Sequence, residues 1–345
     1  MPQTILLKIA VNSIKIYFKI LVSNTPKITV LMSVYNGAKF LAEAIDSILA
    51  QTFTDFEFII IDDASSDTSL QVINSYKDAR IVLIQNTKNL GLTKSLNIGI
   101  AKAKGKYIAR MDADDISMPK RLEKQFDFME EHPEFAFCGT RAKTINDVGK
   151  EISFFKPPTD SSKILALLLF KNCFYHSSLI IRTEKLLQVL GYNETYKYAQ
   201  DYKLYLELFK NKCYGINLKE QLLVYRVLDS NISHTNSDKQ DDLACSAIKT
   251  ALQDCYEISV STQLIKKIRS AIIYRERLGQ INTVEAIIYL RSLYKQFQKQ
   301  FNHNSVALKE MRTLVNLVID VFYNNKKAKL IKSIVYFNSR FHAFN

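Results

Sequence analysis

Residues 28–63 read ITVLMSVYNGAKFLAEAIDSILAQTFTDFEFIIIDD, and this stretch decides the fold class. Ile28 to Val34 is a compact apolar run rich in β-branched residues, closed by Tyr35-Asn36-Gly37, the signature of a buried strand entering a turn. Leu41, Ile45, Ile48 and Leu49 then recur at helical spacing, and Phe56 to Ile61 predicts a second buried strand that ends on Asp62-Asp63. Strand, helix and strand in so short a span predict a right-handed crossover between parallel neighbours.

The alternation continues outward. Ser69 to Tyr76 and Leu92 to Ala103 predict helices, Arg80 to Gln85 a strand, and Lys106 to Met111 a strand running into Asp112-Ala113-Asp114-Asp115. The expected class is therefore α/β: a Rossmann-like, mostly parallel sheet flanked by helices, with acidic loops at the carboxyl ends of strands, where such sheets bind ligands. Pro119 opens a further helix through Leu122, Phe126 and Met129, and Phe135 to Gly139 predicts a short strand before the pattern loosens. From Tyr256 the chain is rich in Lys, Leu and Ile and nearly free of Gly and Pro, which predicts a helical appendage. The expected division is a basic amphipathic extension over residues 1–24, the main domain over 25–255, and a basic helical region over 256–345.

A 345-residue chain that is 47% hydrophobic can bury a large core. Its net charge of +13 belongs to the two ends: residues 1–27 hold four lysines and no acid, and from Tyr256 onward 15 lysines and arginines face five acids. Clustered positive charge attracts phosphate-bearing partners or anionic lipid. Ile5, Ile9, Ile16 and Ile20 lie among Lys8, Lys15 and Lys19, while Lys326, Lys327, Lys329, Lys332 and Arg340 alternate with apolar residues. Both stretches suit an amphipathic helix in a membrane interface, the competing account being an appendage packed on the body. With no apolar run long enough to span a bilayer and no signal-peptide cleavage site, the expected location is cytoplasmic, peripheral at the inner face of the cell membrane. Five scattered cysteines with no C-x-x-C pair predict buried thiols rather than a zinc site or disulfides.

No G-x-G-x-x-G follows the first strand and no G-x-x-x-x-G-K-[ST] exists, which excludes dinucleotide oxidoreductases and P-loop phosphotransferases. A metal-dependent nucleotidyltransferase stays open, because carboxylates, a cation and a nucleotide suit it. A pI near 9.3 and 18 tyrosines raise a basic nucleic-acid binder, but the basic residues avoid the motif-bearing centre, so no nucleic acid is expected as a partner. Three carboxylates in Asp112-Ala113-Asp114-Asp115 repel one another unless something positive joins them. Mg²⁺ or Mn²⁺ does so with one or two carboxylates plus diphosphate oxygens; a solvated acidic turn capping the next helix is the competing account. Asp62-Asp63 falls at the same sheet edge, where a base or ribose can donate to it.

In these segments the chain resembles the family-2 glycosyltransferases, which carry a GT-A-type nucleotide-binding fold. The resemblance runs from Lys27 to Arg226 through Ser33-Val34-Tyr35-Asn36, Ser47-Ile48-Leu49-Ala50-Gln51-Thr52, Ile61-Asp62-Asp63-Ala64-Ser65-Ser66-Asp67, Asn89-Leu90-Gly91-Leu92, Asn97-Ile98-Gly99 and Arg110-Met111-Asp112-Ala113-Asp114-Asp115. It implies that Ser33 and Tyr35 line the nucleotide pocket and that Asp63 accepts a hydrogen bond from the base, as in members using uridine diphosphate sugars. Asp112 and Asp114 form the D-x-D pair, with Asp114 the direct metal ligand and Asp112 the contact to ribose or a second ligand; Asp115 is the weakest of the three. Arg110 either offers charge to the donor or pairs with a neighbouring carboxylate. Asp201, in Tyr198-Ala199-Gln200-Asp201-Tyr202, takes the position of the base, although Gln200 stands where the family usually has an acid; the competing account is a helix cap. His176 matches a position near the acceptor, and Arg226 one that clamps diphosphate, with Leu228 replacing the usual His two residues later. The implied activity is inverting transfer of a sugar from a nucleotide-sugar donor to a hydroxyl of a glycan or lipid-linked acceptor, in bacterial surface polysaccharide synthesis.

Overall fold

Strand β1, Ile28–Val34, is the axis of the sheet. In the computed structural model, which describes residues 25–152, 155–228, 236–274 and 283–322, it pairs in parallel with β2, Phe56–Asp62, on one side and β4, Tyr107–Met111, on the other. Strand β3, Ile81–Gln85, extends the parallel set beyond β2. Helices α1 (Ala38–Leu49), α2 (Ser69–Ser75) and α3 (Leu92–Lys102) make the crossovers. Because helices cover both faces, these strands are apolar almost throughout. Alternate residues serve two cores: Leu31, Ile59 and Ile61 face one, and Val30, Met32, Phe58 and Ile60 the other.

Beyond β4 the sheet departs from the uniform parallel succession that the sequence suggests. The full order is β3-β2-β1-β4-β7-β6-β8-β5. Here β5 is Ile116–Ser117, β6 Phe137–Ile145, β7 Ile180–Arg182 and β8 Gly215–Arg226. The β4–β7, β6–β7 and β5–β8 pairs are antiparallel, and β6–β8 is parallel with its register shifting around Arg141. Strand β6 runs well past the expected Phe135–Gly139, because Arg141, Ala142 and Lys143 sit at partly or fully exposed positions and interrupt the apolar run without interrupting the pairing.

Helices α4 (Arg121–Glu131), α5 (Ser161–Leu167), α6 (Thr183–Gln188) and α7 (Gln200–Lys210) flank this second half. The expected helical character after Tyr256 holds over the described part of that region. Helix α8, Ser237–Tyr256, is followed by α9 (Thr262–Tyr274), α10 (Thr283–Gln300) and α11 (Ser305–Phe322). Phe297, Met311 and Val318 from these helices, and Phe301 between the last two, join the same buried cluster as Leu31 and Ile59 of the sheet. No helix among the described residues is long and apolar enough to cross a membrane. The basic stretches at residues 1–24 and 326–340 lie outside the described residues. Cys138, Cys173, Cys213 and Cys245 are buried, as expected, and Cys255 partly so; burial pushes the Cys138 and Cys173 thiols up to about 12, which leaves them unreactive.

Candidate active site

The parallel register sets the site. Val34 lies beside Asp62 and Met32 beside Met111, so Tyr35, Asp63 and Asp112 emerge from adjacent strands at one carboxyl edge. The antiparallel strand β7 brings the one-turn helix His176–Ser178, just before it, to that same edge. Two cavities open there. The larger, about 720 Å³, is lined by Ser33, Tyr35, Asp63, Gly91, Arg110, Asp112, Asp114 and Gln200 among others. The smaller, about 540 Å³, is lined by Phe155, Lys171, Asn172, Tyr175, Tyr202 and residues of α8 and α9. Asp112, His176, Asp201, Tyr225 and Gln240 line both.

Two loops at the larger cavity are tied together by Asn36. Its side-chain Oδ1 accepts from the backbone N–H of Ser66 at 2.8 Å and of Asp67 at 3.3 Å, and its own N–H donates to the Ser65 hydroxyl at 3.0 Å. Asn36 has φ 52°, a left-handed backbone that asparagine tolerates better than most residues. Asp63 is buried and accepts from Asn86 Nδ2 at 2.7 Å, Leu90 N–H at 2.8 Å and Gly91 N–H at 2.8 Å. Gly91 itself has φ +86°, which suits glycine. Asp63 thus shapes the Asn89-Leu90-Gly91 loop, and of its roughly four lone-pair positions three are taken.

The three acids divide their work. Ligand oxygens of Asp112, Asp114 and Asp115 all lie within 4.8 Å of one another. Asp115 is buried and belongs to the frame: it accepts from the Ser177 hydroxyl, and from the Arg226 N–H at 2.8 Å. Asp112 forms an ion pair with Arg110, a residue only 3% exposed. Burial first, and then the neighbouring acids, push the Asp114 and Asp115 carboxyls well above the ordinary carboxylate range. Two half-buried oxygen donors beside a third carboxylate, with Arg110 paired to Asp112, fit a hard divalent cation that would relieve the repulsion.

Arg226 points elsewhere. Its guanidinium donates to the Asp114 carbonyl at 2.9 Å and to Glu43 at 2.6 Å, and it lies 4.1 Å over the Phe40 ring, so it braces the acidic loop from behind. Neither Arg226 nor Asp115 is among the cavity-lining residues. His176 Nε2 meets the Tyr192 hydroxyl at 2.6 Å; burial, helped by the Arg110 charge, holds the imidazole well below its usual value, hence neutral. Asp201 lies in the first turn of α7 with Oδ2 accepting from Asn172 Nδ2 at 2.8 Å, and burial raises its carboxyl.

Several contributors carried no signal of their own. Arg121 is fully buried, donates to the carbonyl of Arg110 at 2.7 Å and of Leu179 at 3.3 Å, and burial brings it down to about 10. Gln51, inside a stretch quoted only for its resemblance, links α1 to β5 and α4 by donating to the Ser117 hydroxyl at 3.1 Å and accepting from the Leu122 N–H at 3.0 Å. Asn172, Tyr192 and Gln240 stand isolated among dissimilar neighbours and only the fold brings them in.

The model of the glycosyl transferase family 2 matches residues 29–190. The O-antigen biosynthesis glycosyltransferase WbnJ of Escherichia coli is 37% identical over 226 residues, covering 63% of this chain and 84% of that one. The amylovoran biosynthesis glycosyltransferase AmsE of Erwinia amylovora is 31% identical over 202 residues, covering 57% and 75%. Among solved structures, S. aureus TarS 1-349 in complex with UDP-GlcNAc superposes with a TM-score of 0.58 at 17% identity, over 87% of this chain and 93% of that one. The mannosyltransferase PcManGT from Pyrobaculum calidifontis, with GDP-Man and Mn²⁺, gives a TM-score of 0.52 at 17% identity, over 90% and 87%. The architecture shared with them is the GT-A fold.

Proposed function

The chain belongs to glycosyl transferase family 2, and on that premise we propose that it moves a sugar from a nucleoside diphosphate donor in the larger cavity to an acceptor hydroxyl in the smaller one, with inversion. The carrying observation is the shared wall: two carboxylates border both cavities, Asp112 is already paired with Arg110, and Asp201 is the one left to act as a base where donor and acceptor meet. Asp201 takes the proton of the acceptor hydroxyl as that oxygen bonds to the anomeric carbon. The bond from that carbon to the diphosphate oxygen breaks, and its electron pair leaves with the nucleoside diphosphate. With no covalent enzyme intermediate, one displacement inverts the centre.

Ser33, Tyr35 and Asp63 hold the nucleoside, a uridine in our reading, while Arg110 and Asp112 orient the ribose and diphosphate. A divalent cation, Mn²⁺ or Mg²⁺, would be held by Asp114 with Asp112 and would supply charge neutralisation for the departing diphosphate. His176, being neutral, positions by hydrogen bonding. The aromatic rings of Phe155, Tyr175 and Tyr225, with centroids 5.5 and 5.0 Å apart in sequence, give the smaller cavity the apolar faces that pyranose rings pack against, which suits a glycan or lipid-linked acceptor of surface polysaccharide synthesis. The main domain at residues 25–255, extended by the helices after it, carries this chemistry, and the basic ends hold it at an anionic leaflet, each basic residue contributing about 1 kcal/mol there. Cosedimentation with anionic liposomes, lost on deleting residues 1–24 and 325–345, tests that attachment.

The test of the donor site is calorimetric titration of uridine diphosphate with and without Mn²⁺. Binding should depend on the cation in the wild type, and Asp114→Ala should abolish that dependence; unchanged affinity and cation dependence would remove Asp114 from the site. Release of nucleoside diphosphate from a nucleotide sugar, rather than pyrophosphate from a nucleotide, separates this reading from nucleotidyl transfer.

A further inference from the structure

Among the described residues, the side chain that donates a hydrogen bond to the Asp201 carboxylate is that of Asn172, and its own orientation is set by a second bond. Its Oδ1 accepts from the Phe174 backbone N–H at 2.9 Å, so the carboxamide cannot turn over without losing that bond, and Nδ2 is left to donate to Asp201 Oδ2 at 2.8 Å. The segment that carries it is held from three sides. Tyr202 Oη donates to the Leu168 carbonyl at 2.8 Å, Arg269 Nη1 to that of Phe170 at 2.6 Å, and Asn217 Nδ2 to that of Cys173 at 3.0 Å. Tyr202 follows Asp201 on α7 and Arg269 lies on α9, so the segment is pinned to the base's own helix and to the C-terminal helices.

We infer that Asn172 is a positioning residue for transfer: it holds Asp201 Oδ2, leaves Oδ1 to take the acceptor proton, and stabilises the ionised carboxylate against its burial. The inference rests on the reading of Asp201 as the base. The other groups around this carboxylate are the backbone N–H groups of Tyr202 and of Asp201 itself and Arg110 of β4, all of which favour its ionised form, the neutral phenols of Tyr192 and of Tyr205 on α7, and His176 and Asp112 in the same cavity walls. Of these, Arg110 already pairs with Asp112 and the two backbone donors belong to the base's own helical turn, which leaves Asn172 as the donor that fixes the carboxylate from another segment. The proton that Asp201 takes up passes to solvent after the nucleoside diphosphate leaves, so the residue turns over without a net change.

The experiment uses the full chain with Mn²⁺ and the fastest of UDP-glucose, UDP-galactose and UDP-N-acetylglucosamine, reading UDP release with water as acceptor. Asn172→Ala should lower kcat by about 10-fold, as for loss of one hydrogen bond to a charged group, leave donor KM within about two-fold, and move the acid limb of the kcat profile to higher pH. Asn172→Asp keeps the size and the bond from Phe174 but opposes a like charge to the base, so its loss and its pH shift should exceed those of Asn172→Ala. In the Asp201→Asn background the Asn172→Ala change should cost nothing further, because a residue acting through Asp201 is not additive with it. Additive losses, an unmoved acid limb, or an Asn172→Asp enzyme as fast as wild type would overturn the role of Asn172 alone. Retained turnover in Asp201→Asn would instead overturn the base, and the inference with it.

Discussion

The two cavities that meet at Asp201 are built in different ways. Most of the wall of the larger comes from residues 33–114, at and beyond the carboxyl ends of four adjacent parallel strands whose register places them side by side. Apart from Asp112, the smaller draws on residues from Phe155 to Ile273, taken from loops, a strand and helices α7, α8 and α9. A pocket at the ends of parallel strands is a consequence of local pattern, since each strand delivers its loop to the same edge. A pocket assembled from distant segments depends on how those segments pack. The larger cavity is therefore written in motifs, and the smaller in tertiary contacts.

The sharpest way to break that division is at the seam. Asp201→Asn should cut turnover by about 10²-fold or more while leaving nucleotide affinity nearly unchanged, because general-base help is worth about 10²- to 10⁴-fold; single-turnover rates and calorimetry on one sample read both. An equal loss of nucleotide affinity would mean that the two cavities do not work separately. Arg121 spans the halves from beneath, joining the Arg110 carbonyl to that of Leu179. Removing a fully buried, hydrogen-bonded side chain of this size should cost about 3 kcal/mol, so Arg121→Ala should lower the denaturation midpoint and weaken donor binding and transfer together.

A smaller effect should stay on one side. Asn36→Ala gives up two accepted backbone bonds and places a residue with a Cβ but no compensating side chain at φ 52°. The expected cost is about 1–2 kcal/mol, with weaker nucleotide binding and an unchanged ratio of transfer to binding. At the bottom of the scale stands the surface pair Lys124–Glu220, 3.1 Å apart with both side chains more than two-fifths exposed. Lys124→Ala should change stability by less than about 0.5 kcal/mol and alter neither binding nor turnover, which calibrates the other three.

The same contrast governs what was legible. Ile28 to Val34, Phe56 to Ile61 and Lys106 to Met111 announce themselves because a strand covered on both faces must be apolar at every position, and the acids that follow them mark the sheet edge without further information. By itself the chain therefore determined the central parallel strands, their order of appearance, the acidic edge and the helical character of the region after Tyr256. What only the tertiary structure decided was the antiparallel insertion of β7, which carries His176 to that edge, the extension of β6 past Gly139, and the division of labour among Asp112, Asp114 and Asp115. It also decided that Asn172 meets Asp201 across 29 residues of sequence, and that Arg226 meets Glu43 across 183. Periodicity reports the burial of an element's faces, which each residue feels through its own neighbours in the chain; a hydrogen bond between two lone polar side chains leaves no period, so its existence waits on the packing that brings them together.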